Sequence, residues 1–347
     1  MKEQSKCWKI LNNTDLQNEK GINQALKKEG FYSSSHGFPI AALQFELTSH
    51  CNLACKHCYN NSGIHNISDA ITPKKWIAFA EYLVEHGGIF ECILSGGEPL
   101  LLGDDLFQIM DILHEDDTIF FLITNGYLLT KEIVKKLKKY RYHKIQVSID
   151  GSTPEYHDSF RQRSGSWKKA VDGAFAVSSS GIPLKIAHCV TPYNIHNIDD
   201  MCTLAYSLGA TSIMVGELCL SGRAALNQEL LLSNEQREML ANKVKENMAK
   251  YDGRMCVNTS HSVKEGLVRH YKSPNSGAII RPNGDIRIDG MAPFVVGNIL
   301  KEDFAEIWIK KIYESWNDPK VLEFIEGFDE MDRNHSYINY VEGDIYI

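Results

Sequence analysis

Short apolar segments alternate with longer amphipathic segments through the middle of this 347-residue chain. This alternation is the sequence feature that most constrains the fold, because apolar strands separated by helices are typical of a parallel sheet covered by helices. Six β–α units are fewer than the eight of a closed barrel, so the pattern predicts an α/β fold, a partial (β/α)6 TIM-like barrel. The predicted strands are 42–47, 89–94, 118–123, 144–149, 184–190 and 212–218, and the predicted helices are 73–86, 104–114, 131–139, 166–179 and 198–207.

A polar or glycine-rich segment follows each of the six predicted strands. In parallel sheets, ligand-binding and catalytic residues gather at the C-terminal ends of the strands. The sequence therefore predicts one site at one edge of the sheet. The six segments are 50–59, 95–99, 124–126, 148–151, 191–194 and 221–223.

Three cysteines, Cys51, Cys55 and Cys58, lie in the short loop after the first predicted strand. Clustered cysteines in a reducing compartment are typical of metal ligands. Electron-transfer [4Fe–4S] clusters have four cysteine ligands, so three leave one iron open to chelate another molecule. Zinc bound by the three thiolates with His50 or His57 is the alternative. Single cysteines generally act as small apolar residues, and the chain has six of them: Cys7, Cys92, Cys189, Cys202, Cys219 and Cys256.

Composition excludes several functional classes. A net charge of −7 argues against nonspecific nucleic-acid binding, which depends on neutralising phosphates. No apolar run approaches the roughly 20 residues that span a bilayer, and the polar start of the chain lacks the core of a signal peptide. We expect a cytoplasmic protein without a membrane or nucleic-acid partner.

The pattern changes after Arg223. Ser233 is a suitable N-cap, with Gln236 in the capping-box position, for a helix reaching about residue 250. The segments 278–281 and 285–288 flank Pro282-Asn283-Gly284 and predict a hairpin, which precedes a short helix near 304–309. We therefore expect an N-terminal extension at 1–40, a core at 41–223, and a small α+β C-terminal region at 224–347.

The cysteine loop, Tyr59 beside it and the run Gly96-Gly97-Glu98-Pro99 after the second strand together resemble the radical S-adenosylmethionine (SAM) superfamily over residues ~40–223. In that family a reduced [4Fe–4S] cluster splits SAM, and the 5′-deoxyadenosyl radical takes a hydrogen atom from the substrate. The resemblance implies one such cluster on Cys51, Cys55 and Cys58, SAM as cofactor, and a reducing partner such as flavodoxin or ferredoxin.

The same resemblance implies roles for individual residues. Gly96, Gly97 and Glu98 would approach the methionine ammonium, since glycines permit close backbone approach. Arg161 would grip the SAM carboxylate, although a surface ion pair is its alternative role. His188 is expected to be a satisfied core histidine. The other expected SAM contacts are Tyr59 near the adenine, Ser148 and Asp150 near the ribose (or merely capping a strand end), and Thr124 and Asn125 as further ribose candidates.

The C-terminal region resembles the SPASM or twitch extension of radical SAM enzymes. The similarity lies in Pro282-Asn283-Gly284-Asp285, in Gly297-Asn298-Ile299, in Ile307-Trp308, and upstream in Ser221-Gly222-Arg223-Ala224. Most such extensions hold auxiliary clusters, yet this chain has no cysteine near 275–277 or 289–291. We therefore expect a SPASM-like fold with no auxiliary cluster, and Cys219 and Cys256 are candidate hydrogen donors.

Relatives with this extension often modify peptides. The leading hypothesis is therefore a radical SAM enzyme that modifies a ribosomally made peptide by epimerisation, cross-linking or rearrangement. A radical SAM enzyme acting on a small metabolite, such as a sugar or an amino-acid derivative, is the alternative. It gains weight from the missing auxiliary cysteines and from the lack of a recognisable leader-peptide-binding domain before the barrel. A noncatalytic Fe–S or zinc protein is the third class.

Overall fold

A computed structural model describes residues 42–63, 69–260, 263–272, 277–328 and 343–347. Within these residues eleven strands form one sheet, in the order β11-β10-β9-β8-β1-β2-β3-β4-β5-β6-β7. The expected N-terminal extension lies outside the described residues. The strands are β1 Ala42–Glu46, β2 Glu91–Ser95, β3 Ile119–Thr124, β4 Tyr142–Ser148, β5 Leu184–Val190, β6 Ser212–Glu217, β7 Cys256–Asn258, β8 Gly277–Ile280, β9 Asp285–Arg287, β10 Phe294–Asn298 and β11 Ile345–Tyr346.

Strands β1 to β7 are parallel to their neighbours, and β8 adds a parallel strand beside β1. The six predicted strands are confirmed, and so is the mostly parallel α/β fold of a partial barrel. The sequence pattern missed β7, because three residues are too short a segment to show a period.

Helices cover one face of the parallel strands. Their apolar sides pack on alternate strand residues: Phe45 lies 5.0 Å from Trp76 and 5.7 Å from Phe79, between ring centroids. The opposite face of the sheet, called the inner face here, points away from these helices. The main helices are α1 Pro73–Glu85, α2 Asp104–Glu115, α3 Lys131–Leu137, α4 Pro154–Arg161, α5 Ser166–Ser179, α6 Ile198–Ser207, α7 Arg223–Leu226, α8 Asn234–Lys250 and α9 Val263–Lys272.

Helix α4 was not predicted, although it carries residues of the site. It begins after Thr153 with Pro154 in its first turn, a position that suits proline. It ends at Gln162, whose φ of 57° lies in the left-handed region. The helix therefore presents Arg161 in its last turn, beside the C-terminal end of β4.

The C-terminal region contains the predicted elements. Ser233 forms a capping box with Gln236 at the start of α8. Strands β8 and β9 pair as the predicted antiparallel hairpin, and Gly284 turns between them with a φ of 93°. Because β8 pairs with β1, this hairpin extends the core sheet. Beyond it lie the short helix α10 Phe304–Glu306, a π-helix at Ile307–Ile312, α11 Tyr313–Ser315 and α12 Pro319–Gly327.

Candidate active site

The cysteine loop, residues 48–63, leaves the C-terminal end of β1 and carries all three clustered thiols. Burial raises the pKa of the Cys51 thiol to about 11 and that of Cys55 to about 12. Each thiol also has donors close by. The backbone N–H of Leu53 lies 3.5 Å from Cys51 Sγ, and that of Ser62 lies 3.3 Å from Cys58 Sγ. Such donors are the hydrogen bonds that tune cluster sulfurs.

The Gly96-Gly97 pair packs directly on the backbone of this loop. A Cβ on Gly96 would lie 2.6 Å from the Thr48 carbonyl oxygen, and one on Gly97 would overlap the His50 carbonyl. The Gly97 N–H donates to the Thr48 carbonyl at 2.6 Å, and the Glu98 N–H donates to that of His50 at 2.9 Å. The glycines therefore allow the close approach of one loop to another, and their contact with the SAM ammonium stays a prediction.

Glu98 joins the ends of β2 and β3. Its fully buried carboxylate accepts hydrogen bonds from the Thr124 hydroxyl at 2.7 Å, the Asn125 N–H at 2.8 Å and the Leu100 N–H at 3.2 Å. Burial raises its pKa to about 7 despite these three donors. The Asn125 side chain contacts the cysteine loop, with its Nδ2 3.8 Å from Cys51 Sγ. Thr124 and Asn125 thus lie at the site, but in the described contacts the Thr124 hydroxyl is committed to Glu98.

A buried ion pair links β4 to helix α4. Arg161 Nε lies 2.8 Å from Asp150 Oδ2, and its Nη1 lies 3.9 Å from Cys55 Sγ. Asp150 Oδ1 accepts the Cys189 N–H at 2.9 Å. Burial opposes ionisation of Asp150, yet the Arg161 guanidinium holds the pKa of that carboxyl below its usual range. Arg161 is 6 % exposed, so its surface-pair alternative does not fit.

Three histidines lie beside this pair, and one of them, His157, accepts the Asp150 N–H at its Nδ1 at 3.1 Å. The His57 ring stacks on Phe160 at 4.2 Å between centroids, and its Nε2 lies 3.7 Å from Asp150 Oδ2. Burial lowers the pKa of His57 to about 4. His188 is a buried core histidine on β5 with its Nδ1 3.3 Å from the Ile149 carbonyl. Its Nε2 has no hydrogen-bond partner among the described residues, so the expectation that it is satisfied holds for one ring nitrogen.

Sequence reasoning missed the residues that hold the cysteine loop from β6. Arg223 Nε donates to the Cys55 carbonyl at 2.7 Å, and Nη1 donates to that of Ser62 at 2.8 Å. The Arg223 N–H also donates to the Cys58 carbonyl at 2.9 Å. Gly222 has a φ of 55°, and a Cβ there would overlap the Cys58 and Tyr59 carbonyls. The sequence did contain one indication of this role, because the polar segment Ser221-Gly222-Arg223 follows a strand like the other site segments.

The remaining predicted residues divide between the two ends of the sheet. Tyr59 donates its hydroxyl to Glu46 at 3.2 Å, and its carbonyl accepts the Ser221 hydroxyl at 2.8 Å. Ser148 is the last residue of β4, and Cys219 follows β6 by two residues, so both lie at the site end. Cys256 pairs instead with Ser212, the first residue of β6. This places Cys256 at the opposite end, exposed beside a cavity of about 370 Å³, where a role as hydrogen donor does not fit.

The donor set suits a cluster better than zinc. Within the described ranges no group of three or more His, Cys, Asp or Glu side chains could hold a single metal ion. His50 is 64 % exposed and pairs with Asp69 at 3.2 Å, while His57 faces Asp150. Neither histidine joins the thiols, as a tetrahedral zinc site would need. A [4Fe–4S] cube spreads its ligands over several irons, and the three thiols with nearby N–H donors fit it.

The fold and the cysteine loop define a cluster-binding enzyme of the partial-barrel class. Residues 45–205 match the model of the Radical SAM superfamily. Mycofactocin maturase MftC of Mycolicibacterium smegmatis is 30 % identical over 279 residues, covering 77 % of this chain and 69 % of that protein. This chain belongs to the radical SAM superfamily, whose members use a [4Fe–4S] cluster and SAM.

The names of other relatives state substrates that differ from that of MftC. An AdoMet-dependent heme synthase of Methanosarcina barkeri is 29 % identical, covering 81 % of this chain and 86 % of that protein. A PqqA peptide cyclase of Ruegeria pomeroyi is 31 % identical, covering 59 % and 54 %. The crystal structure of Streptococcus suis SuiB bound to S-adenosylmethionine has the same fold, with a TM-score of 0.64 at 15 % identity over 86 % of this chain and 73 % of SuiB.

No helix in the described part of the chain is long and apolar enough to cross a membrane.

Proposed function

We propose that this protein is a radical SAM maturase that abstracts a hydrogen atom from a ribosomally made peptide and returns one by a thiol, an epimerisation. The peptide assignment is supported by the relatives that carry peptide-maturation names, MftC and PqqA peptide cyclase. When bound, the cluster supplies the electron that splits SAM. The protein residues position the reacting groups. The Arg161 guanidinium lies beside Cys55, where it can bind the SAM carboxylate.

The single observation that supports a redox-neutral reaction is the lack of cysteines that could bind an auxiliary cluster in the C-terminal region. The chain has no cysteine between Cys256 and its end. A cross-link removes two hydrogen atoms from the substrate and needs an electron acceptor, for which an auxiliary cluster is suited. Epimerisation is redox-neutral for the substrate, and so fits a single cluster. A flavodoxin or ferredoxin would supply the electrons.

We assign the hydrogen donor to the C-terminal ends of β5 and β6. Cys219 follows β6, and Cys189 lies on the inner face of β5 with its N–H on Asp150. Burial raises the pKa of Cys189 well above its usual value, with a further contribution from Cys219, so its sulfur keeps its hydrogen. The Cys219 thiol would donate its own hydrogen atom to the substrate radical. The thiyl radical left behind then takes an electron from the reducing partner and a proton from solvent.

Peptide turnover in D2O tests this reaction class. Thiol hydrogens exchange with solvent, so each epimerised residue should gain one deuterium and one mass unit. A cross-link would instead lose two hydrogen atoms. Cys219→Ala should abolish deuterium incorporation while 5′-deoxyadenosine still forms. Cys256→Ala is the matched control at the opposite end of the sheet and should leave incorporation unchanged. Product that lacks two hydrogens would refute the epimerase assignment.

A small-molecule substrate is the second candidate, and one observation favours it. The match to the heme synthase covers 86 % of that relative's length, against 69 % of MftC and 54 % of PqqA peptide cyclase. Stimulation of SAM cleavage separates the two. A peptide encoded beside this gene should increase 5′-deoxyadenosine formation, whereas stimulation only by a porphyrin or another metabolite would support the second candidate.

A further inference from the structure

Two lysines lie next to each other on the inner face of the sheet, away from the cysteine loop. In β5 the residues alternate between buried and half-buried, and Leu184 and Ile186 pack in the core under the helices. Lys185, between them, therefore points to the inner face. Lys144 in β4 is the register partner of Phe121 and lies two residues before Gln146, the register partner of Lys185, so it faces the same side of the sheet. Lys144 and Lys185 are called the lysine pair below.

An aromatic ring forms the floor beneath the lysine pair. The Lys144 Nζ lies 5.1 Å and the Lys185 Nζ lies 5.9 Å from the ring centroid of Phe121 in β3. Lys185 Nζ also lies 3.7 Å from Met214 Sδ, which is only a weak acceptor. The two ammonium groups thus converge above an apolar surface made by an aromatic ring and a thioether.

The lysine pair has no acidic partner among the residues that the structure describes. Glu91 lies on β2, two strands away from β4, and pairs with His143 at 3.3 Å. Burial lowers the pKa of Lys185 to about 8, and the charge of Lys144 lowers it further in the same direction. Two cations held together without a carboxylate repel each other. An anion placed between them would remove that cost.

We infer that the lysine pair binds a carboxylate of the substrate, in a subsite on the inner face opposite the cluster end. The inference rests on the proposed function, whose substrate it describes more closely. A carboxylate on a carbon chain suits both features, because its charge meets the ammonium groups and its methylene groups contact Phe121 and Met214. The carboxylate belongs either to a peptide or to a metabolite.

The distance from the subsite to the thiols at the site predicts which residue of a bound peptide reacts. Lys185 and Cys189 both face inward on β5 and are four residues apart, a distance of about 13 Å along a strand. An extended peptide has nearly the same rise per residue. A peptide anchored by its C-terminal carboxylate would therefore present a residue about four positions earlier to the thiols at the site.

Binding of small carboxylates to the holoenzyme with SAM, without reductant, tests the subsite. The probes are N-acetylglycylglycine, its C-terminal amide and butyrate, followed by NMR of 13C-labelled lysine side chains. The acid should shift two lysine signals saturably, and the amide should bind at least about tenfold more weakly. Lys185→Met should remove the saturable shift, and Lys169→Met, an exposed residue of α5, should keep it. Equal binding of acid and amide, or an unchanged dissociation constant in Lys185→Met, would overturn the subsite.

Two comparisons complete the design. Tighter binding of the peptide acid than of butyrate assigns the carboxylate to a peptide, and equal binding assigns it to a metabolite; both support the subsite. SAM cleavage is measured in the same preparations after adding reductant. Cleavage without acid binding refutes the subsite alone. Acid binding without any cleavage refutes the proposed function and leaves the subsite standing.

Discussion

Replacing Arg223 with methionine should loosen the cysteine loop without unfolding the sheet. The guanidinium donates to the buried carbonyls of Cys55 and Ser62. Methionine keeps much of the apolar stem but satisfies neither acceptor. The Ser62 carbonyl would be left without a donor, at a cost of about 1–3 kcal/mol. The Cys55 carbonyl would keep the Cys58 N–H but lose a charge-assisted bond of comparable worth, so the closed loop should lose about 2–6 kcal/mol. The lower figure corresponds to a roughly 30-fold increase in the open population.

Cluster release measures this opening. Anaerobic holoprotein is mixed with excess ferrous-iron chelator, and loss of cluster absorbance is followed in time. Because exposure of the loop limits release, the rate should follow the open population. We expect Arg223→Met to lose its cluster at least about 30-fold faster than the wild type. Arg223→Lys, with one ammonium for two separated carbonyls, should be intermediate.

Arg237→Met is the matched control. It removes a cation from the neighbouring helix α8, where the described partners of Arg237 are Glu217 at 2.7 Å and Asn234 at 3.4 Å, both outside the cysteine loop. Its release rate should stay close to that of the wild type. A rate for Arg223→Met equal to the wild type, or an equal acceleration in both variants, would refute the role of Arg223 in holding the loop.

Three further predictions concern the site. Gly97→Ala should prevent cluster assembly, seen as absent iron, because its Cβ would overlap the His50 carbonyl, whereas Gly266→Ala, with open space around it, should assemble normally. Glu98→Gln should gain stability relative to the wild type by about 3 kcal/mol between pH 4.5 and 7 in urea unfolding. The reason is that the unfolded carboxyl ionises near pH 4.5 and the folded one near 7; a constant difference would contradict it. Asp150→Asn should cost about 3–5 kcal/mol by leaving Arg161 buried and unpaired, and an Arg161→Met/Asp150→Asn double variant that is no more stable would contradict that.

The strands and the location of the site could be predicted from the sequence for a physical reason. Strands buried in a parallel sheet are continuous apolar runs, and their C-terminal ends meet at one edge. The sequence therefore predicts that the cysteine loop and the Gly96-Gly97 turn lie together. The same local patterns do not say which partner a polar group takes.

The sequence could not predict which groups the polar side chains of the site contact. Asp150 and Arg161 pair with each other because helix α4 returns to the end of β4, a contact that the sequence does not indicate, and their SAM contacts stay predictions. Arg223 reaches carbonyls of the cysteine loop, which lies more than 160 positions earlier in the chain. Cys256 lies at the wrong end of the sheet because the register of the short strand β7 fixes its height, and three residues carry no readable pattern.

Iron content and SAM cleavage together test the central claim most directly. The wild type and a Cys51/Cys55/Cys58 triple alanine variant are reconstituted anaerobically, analysed for iron and sulfide, and reduced with SAM present. The account predicts about four irons per wild-type chain with formation of 5′-deoxyadenosine, and neither in the variant. About eight irons, with about four retained in the variant, would contradict a single cluster. Zinc without iron, or iron without SAM cleavage, would contradict the enzyme itself.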